Sequence, residues 1–303
     1  MGYVLKMNST SLADESVNGL RLPVFDADNS TAAMGVRLES IHDTYAEFTQ
    51  RIQDWQRGPD GAISLAAIGP MLDAAVGSGA YLATGGKRNF VMSTLSATFV
   101  AGIADRDTVH ARSRCVESDR RTDTVASVGE IRGDAGLIAV VTCRAVPVER
   151  VLREPAAAAA RDASTLGLPL IPAHIEDANG VEFASVLGLD VSQSTGKSLS
   201  GIWTTATWML NPFDTVQGGI VFAVVTEAAH LALAHISNPD ESIGLTEISV
   251  DLLRSPAAAT SYEWTVSYLR IGRRMVNMVV TVTGTDGREQ ARATCTAFRV
   301  RRD

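Results

Sequence analysis

The chain has 303 residues, of which 46% are hydrophobic and 20% charged, so its composition is that of a folded globular protein and excludes extensive disorder. Its formal net charge of -7 offers no general attraction for nucleic acid or anionic membranes, because both require clustered positive charge. The length leaves room for two domains that each bury a core of their own.

The amino terminus, MGYVLKMNST, lacks the apolar segment of a secretory signal, so a cytoplasmic protein is expected. The three cysteines lack metal-ligand spacing and are predicted to be buried thiols: Cys115, Cys143 and Cys295. The most apolar stretch, Gly219–Ile236, approaches the length of a membrane span. Glu227 and His230 interrupt it, which favours a helix buried in a protein core and predicts no membrane partner.

The predicted elements run in the same order twice. In the first half, the alternating segment Thr44–Ile52 predicts a strand and the apolar run Ser64–Leu82 a long helix. Further strands are predicted at Ser93–Val100, Thr108–Glu117, Thr122–Ile131 and Leu137–Val148. The second half repeats this order with a strand, a helix and four strands, at Gly201–Leu210, Gly218–Ala234, Leu245–Leu253, Tyr262–Leu269, Met275–Thr283 and Glu289–Val300.

A nearly constant offset relates the two halves, and it indicates a repeated structural unit. Ser96 aligns with Ser249 at an offset of about 153 residues, and Cys143 aligns with Cys295 after a one-residue loop deletion. We therefore predict a first domain at 1–149 with an N-terminal extension, a linker at 150–180 and a second domain at 181–303. Each helix is apolar nearly all round, so each is predicted to lie inside the concave face of a long antiparallel sheet, an α+β fold.

The run Asn211–Gly219, NPFDTVQGG, resembles the signature of hotdog-fold acyl-CoA thioesterases of the phenylacetate-pathway type. In that family an Asn precedes His-Gly-Gly by six residues, and a catalytic Asp lies nine residues beyond the His. Gln217 replaces the His here; it can donate a hydrogen bond but cannot carry a proton. The resemblance extends over Gly188–Val300. It implies a double hotdog, with two antiparallel sheets each wrapped around a long central helix.

The resemblance also implies an acyl-CoA thioester hydrolase that needs no cofactor beyond the coenzyme A of its substrate. Each site would combine the Asn and helix-start Gly of one copy with the acid of the other. Free N–H groups at a helix start can stabilise negative charge, so Gly218 N–H is the candidate oxyanion donor. Asn211 would donate to the same oxygen or hold a water, Asp73 would be the base or the nucleophile, and Ser93 would orient the water.

Four further residues are predicted to bind substrate: Gly219, Thr246, Arg273 and Arg274. The two arginines have family counterparts near the pantetheine and phosphate end of coenzyme A. Simpler roles are also open: Asn211 as a turn residue, the two glycines as packing positions and Asp73 as an interface carboxylate.

The position of the second acid is ambiguous. Asp73 lies nine residues beyond Ser64, but the residue nine beyond Gln217 is Thr226, with Glu227 next to it. A one-residue step turns a helical side chain by about 100°, so only one alignment is expected to place both acids on the pocket face. We favour the nine-residue spacing. The mirror site then lacks a carboxylate and is predicted to be inactive; it consists of Gly58, Ser64, Leu65, Thr226 and Thr246.

Two other functions are considered. The loss of the His at Gln217 allows a non-catalytic acyl-CoA binding protein. The Asn211-Pro212 dipeptide also allows an enoyl-CoA hydratase, which is less favoured because no His lies near that turn. The expected partner is an acyl-CoA. A homo-oligomer of double-hotdog chains remains open.

Overall fold

The computed structural model describes residue 22 and the ranges 29–119, 121–149, 182–238 and 240–301. The predicted linker at 150–180 and most of the predicted N-terminal extension lie outside these residues. The division into two domains at these boundaries therefore stays a prediction.

The two halves contain the same elements in the same order. The first half comprises α1 (Asn29–Ala33), β1 (Val36–Ile41), β2 (Ala46–Arg51), α2 (Gly69–Ala83), β3 (Asn89–Phe99), β4 (Thr108–Asp119), β5 (Thr124–Gly133) and β6 (Gly136–Val148). The second comprises α3 (Phe183–Val186), β7 (Leu189–Thr195), β8 (Ser198–Thr204), α4 (Gly218–His235), β9 (Glu241–Leu252), β10 (Ser261–Ile271), β11 (Met275–Thr283) and β12 (Glu289–Arg301).

Two short 3-10 turns precede the long helices, Leu65–Ile68 before α2 and Thr207–Met209 before α4. The strand predicted at Gly201–Leu210 therefore ends early, at Thr204. Strand β7 was not predicted, because every residue after Leu189 is exposed and the strand shows no alternation of burial.

All twelve strands belong to one antiparallel sheet, in the order β1-β2-β4-β5-β6-β3-β9-β12-β11-β10-β8-β7. The prediction of two separate sheets is thus corrected. Strands β3 and β9 pair with each other, which satisfies backbone N–H and C=O groups that two separate sheets would leave on open edges.

The register of the central pair displays the repeat directly. Ser96 lies opposite Ser249, 153 residues away, and their hydroxyl oxygens are 2.8 Å apart. Leu95 pairs with Cys143 in the first copy, and Ile248 pairs with Cys295 in the second. The offsets read from the sequence are therefore the offsets of an approximate two-fold symmetry in the sheet.

The long helices α2 and α4 are core helices that contact each other through glycines. By length and composition alone, Leu65–Ala83 and Gly218–His235 could each cross a membrane, but 72% of each is buried inside the fold. A methyl group built on Gly219 would lie 2.4 Å from the Gly69 carbonyl oxygen, and one built on Gly69 would lie 2.3 Å from the Gly219 oxygen. The close contact leaves no space for a side chain at either position.

Replacing Gly219 with Ala is expected to lower the free energy of unfolding by about 1–3 kcal/mol, the usual cost of overpacking. The clash is with backbone atoms of α2, so it outweighs the gain of at most about 1 kcal/mol from the higher helix propensity of Ala. Gly196→Ala is the control, because a methyl group there meets no atom within 4 Å. Equal urea midpoints for the two variants would contradict the close contact.

Candidate active site

A cavity of about 610 Å³ lies between the two copies, where α4 begins. It is within the range of small-molecule sites. The residues around it include five predicted from the sequence, two from the first copy and three from the second: Asp73, Ser93, Asn211, Gln217 and Gly218.

Asp73 projects from α2 towards the start of α4. A methyl group built on Gly218 would lie 3.5 Å from each of the two carboxylate oxygens of Asp73. The first N–H groups of an α-helix have no partner within the helix and form its positive end. A carboxylate thus lies next to the start of a helix, an arrangement that can serve the hydrolysis of an acyl group.

The backbone at the start of α4 borders the first cavity because Gly218, the first residue of the helix, has no side chain. Gln217 is the N-cap of the helix, and its carbonyl accepts hydrogen bonds from the N–H groups of Ile220 and Val221, each at 3.1 Å. The Gln217 side chain is buried and lines the cavity. Gly219, predicted to bind substrate, is instead at the contact with α2.

Asn211 holds the turn that leads into α4. Its Oδ1 accepts hydrogen bonds from Phe213 N at 2.9 Å, Thr215 N at 3.3 Å and Thr215 Oγ1 at 3.2 Å. This is the Asx-type turn that Asn favours. Since Oδ1 is engaged in the turn, the Nδ2 group is the part of the side chain suited to donate into the cavity.

Ser93 and Thr246 occupy equivalent β-bulges. The β3–β6 register shifts at Ser93, whose Oγ donates to the Arg144 carbonyl at 3.1 Å. The β9–β12 register shifts at Thr246, whose Oγ1 donates to the Thr296 carbonyl at 3.1 Å. Bulges re-aim side chains next to functional sites. Ser93 lines the first cavity, whereas Thr246 lines a second one.

This second cavity, of about 700 Å³, is the counterpart of the first. Many of its lining residues match those of the first cavity at the offset of 153; Ser64 and Leu65, for example, correspond to Gln217 and Gly218. The fold therefore contains two related cavities, one at the start of each long helix.

The structure corrects the predicted mirror site. Ser64 Oγ donates a hydrogen bond to Glu227 Oε2, so the second helix start also faces a carboxylate. Thr226 Oγ1 instead donates to the Phe222 carbonyl within α4, at 2.7 Å. Gly58 is close to Glu227: a methyl group built there would lie 3.8 Å from Glu227 Oε1.

The prediction that the mirror site lacks a carboxylate is therefore wrong. The residue count behind it did not allow for the 3-10 turn Leu65–Ile68, which lies between Ser64 and α2. A 3-10 helix turns by about 120° per residue and an α-helix by about 100°. Over four residues the difference reaches about 80°, close to one residue step. Counting residues from Ser64 and from Gln217 therefore does not give the directions of the two acids: Asp73 lines the first cavity, whereas Glu227 is hydrogen-bonded to Ser64.

The arginine at the first cavity is Arg254, which is not one of the two arginines predicted to bind substrate. Arg273 and Arg274 are exposed in the turn between β10 and β11, and neither lines either cavity. Arg254 does line the first cavity. Sequence reasoning missed it, although it lies in the segment Asp251–Pro256 that carries part of the family resemblance.

Known proteins resemble this chain in sequence and in fold. Residues 205–298 match the family model of the acyl-CoA thioesterase N-terminal domain. The match lies within the second copy and agrees with the predicted resemblance to acyl-CoA thioesterases. It also agrees with the predicted class of activity, hydrolysis of acyl-CoA thioesters.

Solved thioesterase structures share the fold over about nine-tenths of this chain. The tesB protein of Mycobacterium avium subs paratuberculosis is 11% identical, with a TM-score of 0.58 over 91% of this chain and 99% of that one. The acyl-CoA thioesterase II TesB2 of Mycobacterium marinum is 9% identical, with a TM-score of 0.55 over 90% of this chain and 97% of that one. The hotdog fold is thereby confirmed, with one large sheet. No curated protein matches the sequence.

The described residues include two buried thiols rather than the three predicted. Burial raises the pKa of Cys143 and of Cys295 to about 12. Cys115 is only half-buried, because it lies where the register between β4 and β5 shifts. Among the residues that the structure describes, no group of three or more His, Cys, Asp or Glu side chains could hold a metal ion.

Proposed function

We propose that the chain hydrolyses acyl-CoA thioesters in the first cavity, with Asp73 as the catalytic carboxylate. The observation that carries the proposal is the position of Asp73, whose two carboxylate oxygens lie 3.5 Å from the place of a methyl group on Gly218. A carbonyl bound at the helix start would then be next to the group that activates its attacker.

The reaction follows from the donors and acceptors around that space. Water attacks the thioester carbon while Asp73 accepts its proton, or Asp73 attacks directly and water hydrolyses the resulting anhydride. Gly218 N–H and the Asn211 amide stabilise the oxyanion, and the Ser93 hydroxyl orients the water. Gln217 donates a hydrogen bond without taking part in proton transfer. On the first route the carbon–sulfur bond breaks after attack by water, and coenzyme A leaves as a thiol with the proton that Asp73 accepted. On the second route that bond breaks as the anhydride forms, and the thiolate takes a proton from solvent.

The substrate proposed is an acyl-CoA with an apolar acyl group. Apolar and aromatic side chains dominate one part of the lining: Tyr81, Phe90, Met92, Phe213, Val221 and Leu252. Arg254 is the cation best placed for the phosphate-bearing part of coenzyme A, with Arg273 and Arg274 as more distant candidates. We further propose a cytoplasmic enzyme without a separate cofactor. Because one chain contains both copies, oligomerisation is not needed to complete the site.

A panel of acyl-CoAs assayed with a thiol reagent tests the proposal. We expect turnover of apolar acyl-CoAs at a kcat/KM at least about tenfold above that of malonyl-CoA, since a second carboxylate beside Asp73 would be repelled. The buried thiols of Cys143 and Cys295 add little background near pH 8, because burial raises the pKa of each to about 12, and a blank without substrate corrects for Cys115. Acyl-CoA binding without turnover of any substrate would instead support the non-catalytic alternative.

A further inference from the structure

The second cavity has a polar cluster that the proposed reaction does not use. Ser64 Oγ donates to Glu227 Oε2 and lies 3.2 Å from His230 Nδ1. His230 Nδ1 is in turn 3.4 Å from Glu227 Oε2. A hydroxyl, an imidazole and a carboxylate in mutual contact are the components of an activated serine nucleophile.

The burial of Glu227 distinguishes this cluster from an ordinary surface ion pair. Its side chain is 0% exposed, and its Oε1 makes no hydrogen bond within the part of the chain that the structure describes. A carboxylate is costly to bury when its oxygens are not fully satisfied. Its other oxygen, Oε2, is within hydrogen-bond distance of Ser64 Oγ and His230 Nδ1.

The order of the groups differs from that in the first cavity. Ser64 and His230 line the second cavity, and Glu227 lies behind them. Asp73, in contrast, lines the first cavity itself. Glu227 thus reaches this cavity through Ser64 and His230, which it contacts and which line it.

We propose that Ser64, Glu227 and His230 form a second catalytic centre, which hydrolyses neutral acyl esters through an acyl-serine intermediate. Ser64 Oγ attacks the ester carbon as its proton passes to Glu227 Oε2. The carbon–oxygen bond of the leaving group breaks, and the alcohol departs with that proton. Water then attacks the acyl-serine, which releases the carboxylic acid and restores the Ser64 hydroxyl. His230 positions the carboxylate and the hydroxyl.

The charges of the lining favour a neutral substrate over an acyl-CoA. Asp60 and Glu241 line this cavity, and Ala101 takes the place that Arg254 has in the first one. Glu241 is paired with Arg299, whereas Asp60 accepts a hydrogen bond from Ala62 N. Phosphates would meet a carboxylate here without a matching cation among the lining residues described. The centre is independent of the proposed acyl-CoA hydrolysis.

The full chain should hydrolyse p-nitrophenyl acetate above the buffer rate, and Ser64→Ala should remove at least about 95% of that activity. Glu227→Gln should have a similar effect, because an amide cannot accept the proton. Ser96→Ala is the matched control: the Ser96 hydroxyl is bonded to Ser249 in the centre of the sheet and lines neither cavity. It should keep the wild-type rate.

Diisopropyl fluorophosphate provides a second measurement on the unmodified protein. We expect a covalent adduct on the peptide that contains Ser64, detected by mass spectrometry, with loss of the ester activity in proportion to labelling. Half or more of the wild-type ester activity in Ser64→Ala, or inactivation without an adduct on Ser64, would overturn the proposal.

Discussion

Replacing Asp73 with Asn should lower kcat/KM for the best acyl-CoA by at least about 1,000-fold, a loss within the range for removal of a catalytic base. The amide keeps the size of the carboxylate but can neither accept a proton nor attack the thioester. Because Asp73 is only half-buried beside an open cavity, the thermal midpoint should change little. Initial rates over a range of acyl-CoA concentrations, together with a thermal melt, measure both effects.

Asp190→Asn is the matched control for this experiment. Asp190 is an exposed carboxylate on the edge strand β7, and it lines neither cavity. Its kcat/KM should stay within about twofold of the wild-type value, as is usual for a surface substitution. If Glu227→Gln abolished acyl-CoA hydrolysis while Asp73→Asn retained it, the catalytic carboxylate would belong to the second cavity and the proposed assignment would be wrong.

A single methyl group at Gly218 should reduce kcat/KM by about 100-fold and leave the fold intact. In Gly218→Ala the new Cβ would lie 3.5 Å from both oxygens of Asp73, in the space proposed for the thioester carbonyl. Its nearest neighbour, at 3.1 Å, is Leu252 Cδ1, the end of a flexible side chain that can move aside. The expected result is therefore loss of activity without loss of stability.

Gly219→Ala provides the comparison, because the same methyl group one residue later meets the backbone of α2. It should lower stability, whereas Gly218→Ala should lower activity at an unchanged thermal midpoint. Wild-type kcat/KM in Gly218→Ala would show that the substrate carbonyl binds elsewhere. Kinetics and melts on the two purified variants separate these outcomes.

The repeat and the long helices could be predicted from the sequence because both depend on local patterns. Alternating burial marks most of the strands, and the nearly continuous apolar runs mark α2 and α4. The offset of 153 reappears in the structure as the pairing of Ser96 with Ser249. The joining of the two sheets was not predictable in the same way, since strands pair through backbone groups that every residue type carries.

The set of residues predicted to share one site, which line the first cavity, was inferred from the family resemblance together with the repeat. The structure brings Asp73 and Ser93 to the same space as the start of α4, although their roles there remain proposals. Arg254 was missed because a single arginine after a strand has no pattern that separates it from a solvated surface residue. The local sequence likewise gave no sign that Arg273 and Arg274 lie away from the first cavity.

By itself, the sequence determined that two copies of one unit are present, because the same order of segments recurs at a nearly constant offset. It also determined that each copy has an apolar core helix, because the spacing of apolar residues is a property of the local sequence. Only the tertiary structure decided that the copies share one sheet and that both helix starts face a carboxylate. The 3-10 turn at Leu65–Ile68 adds about 80° of rotation between Ser64 and α2 compared with an α-helix of the same length. This rotation is the sum of small differences in backbone dihedral angles, and the spacing of residues along the sequence does not show them.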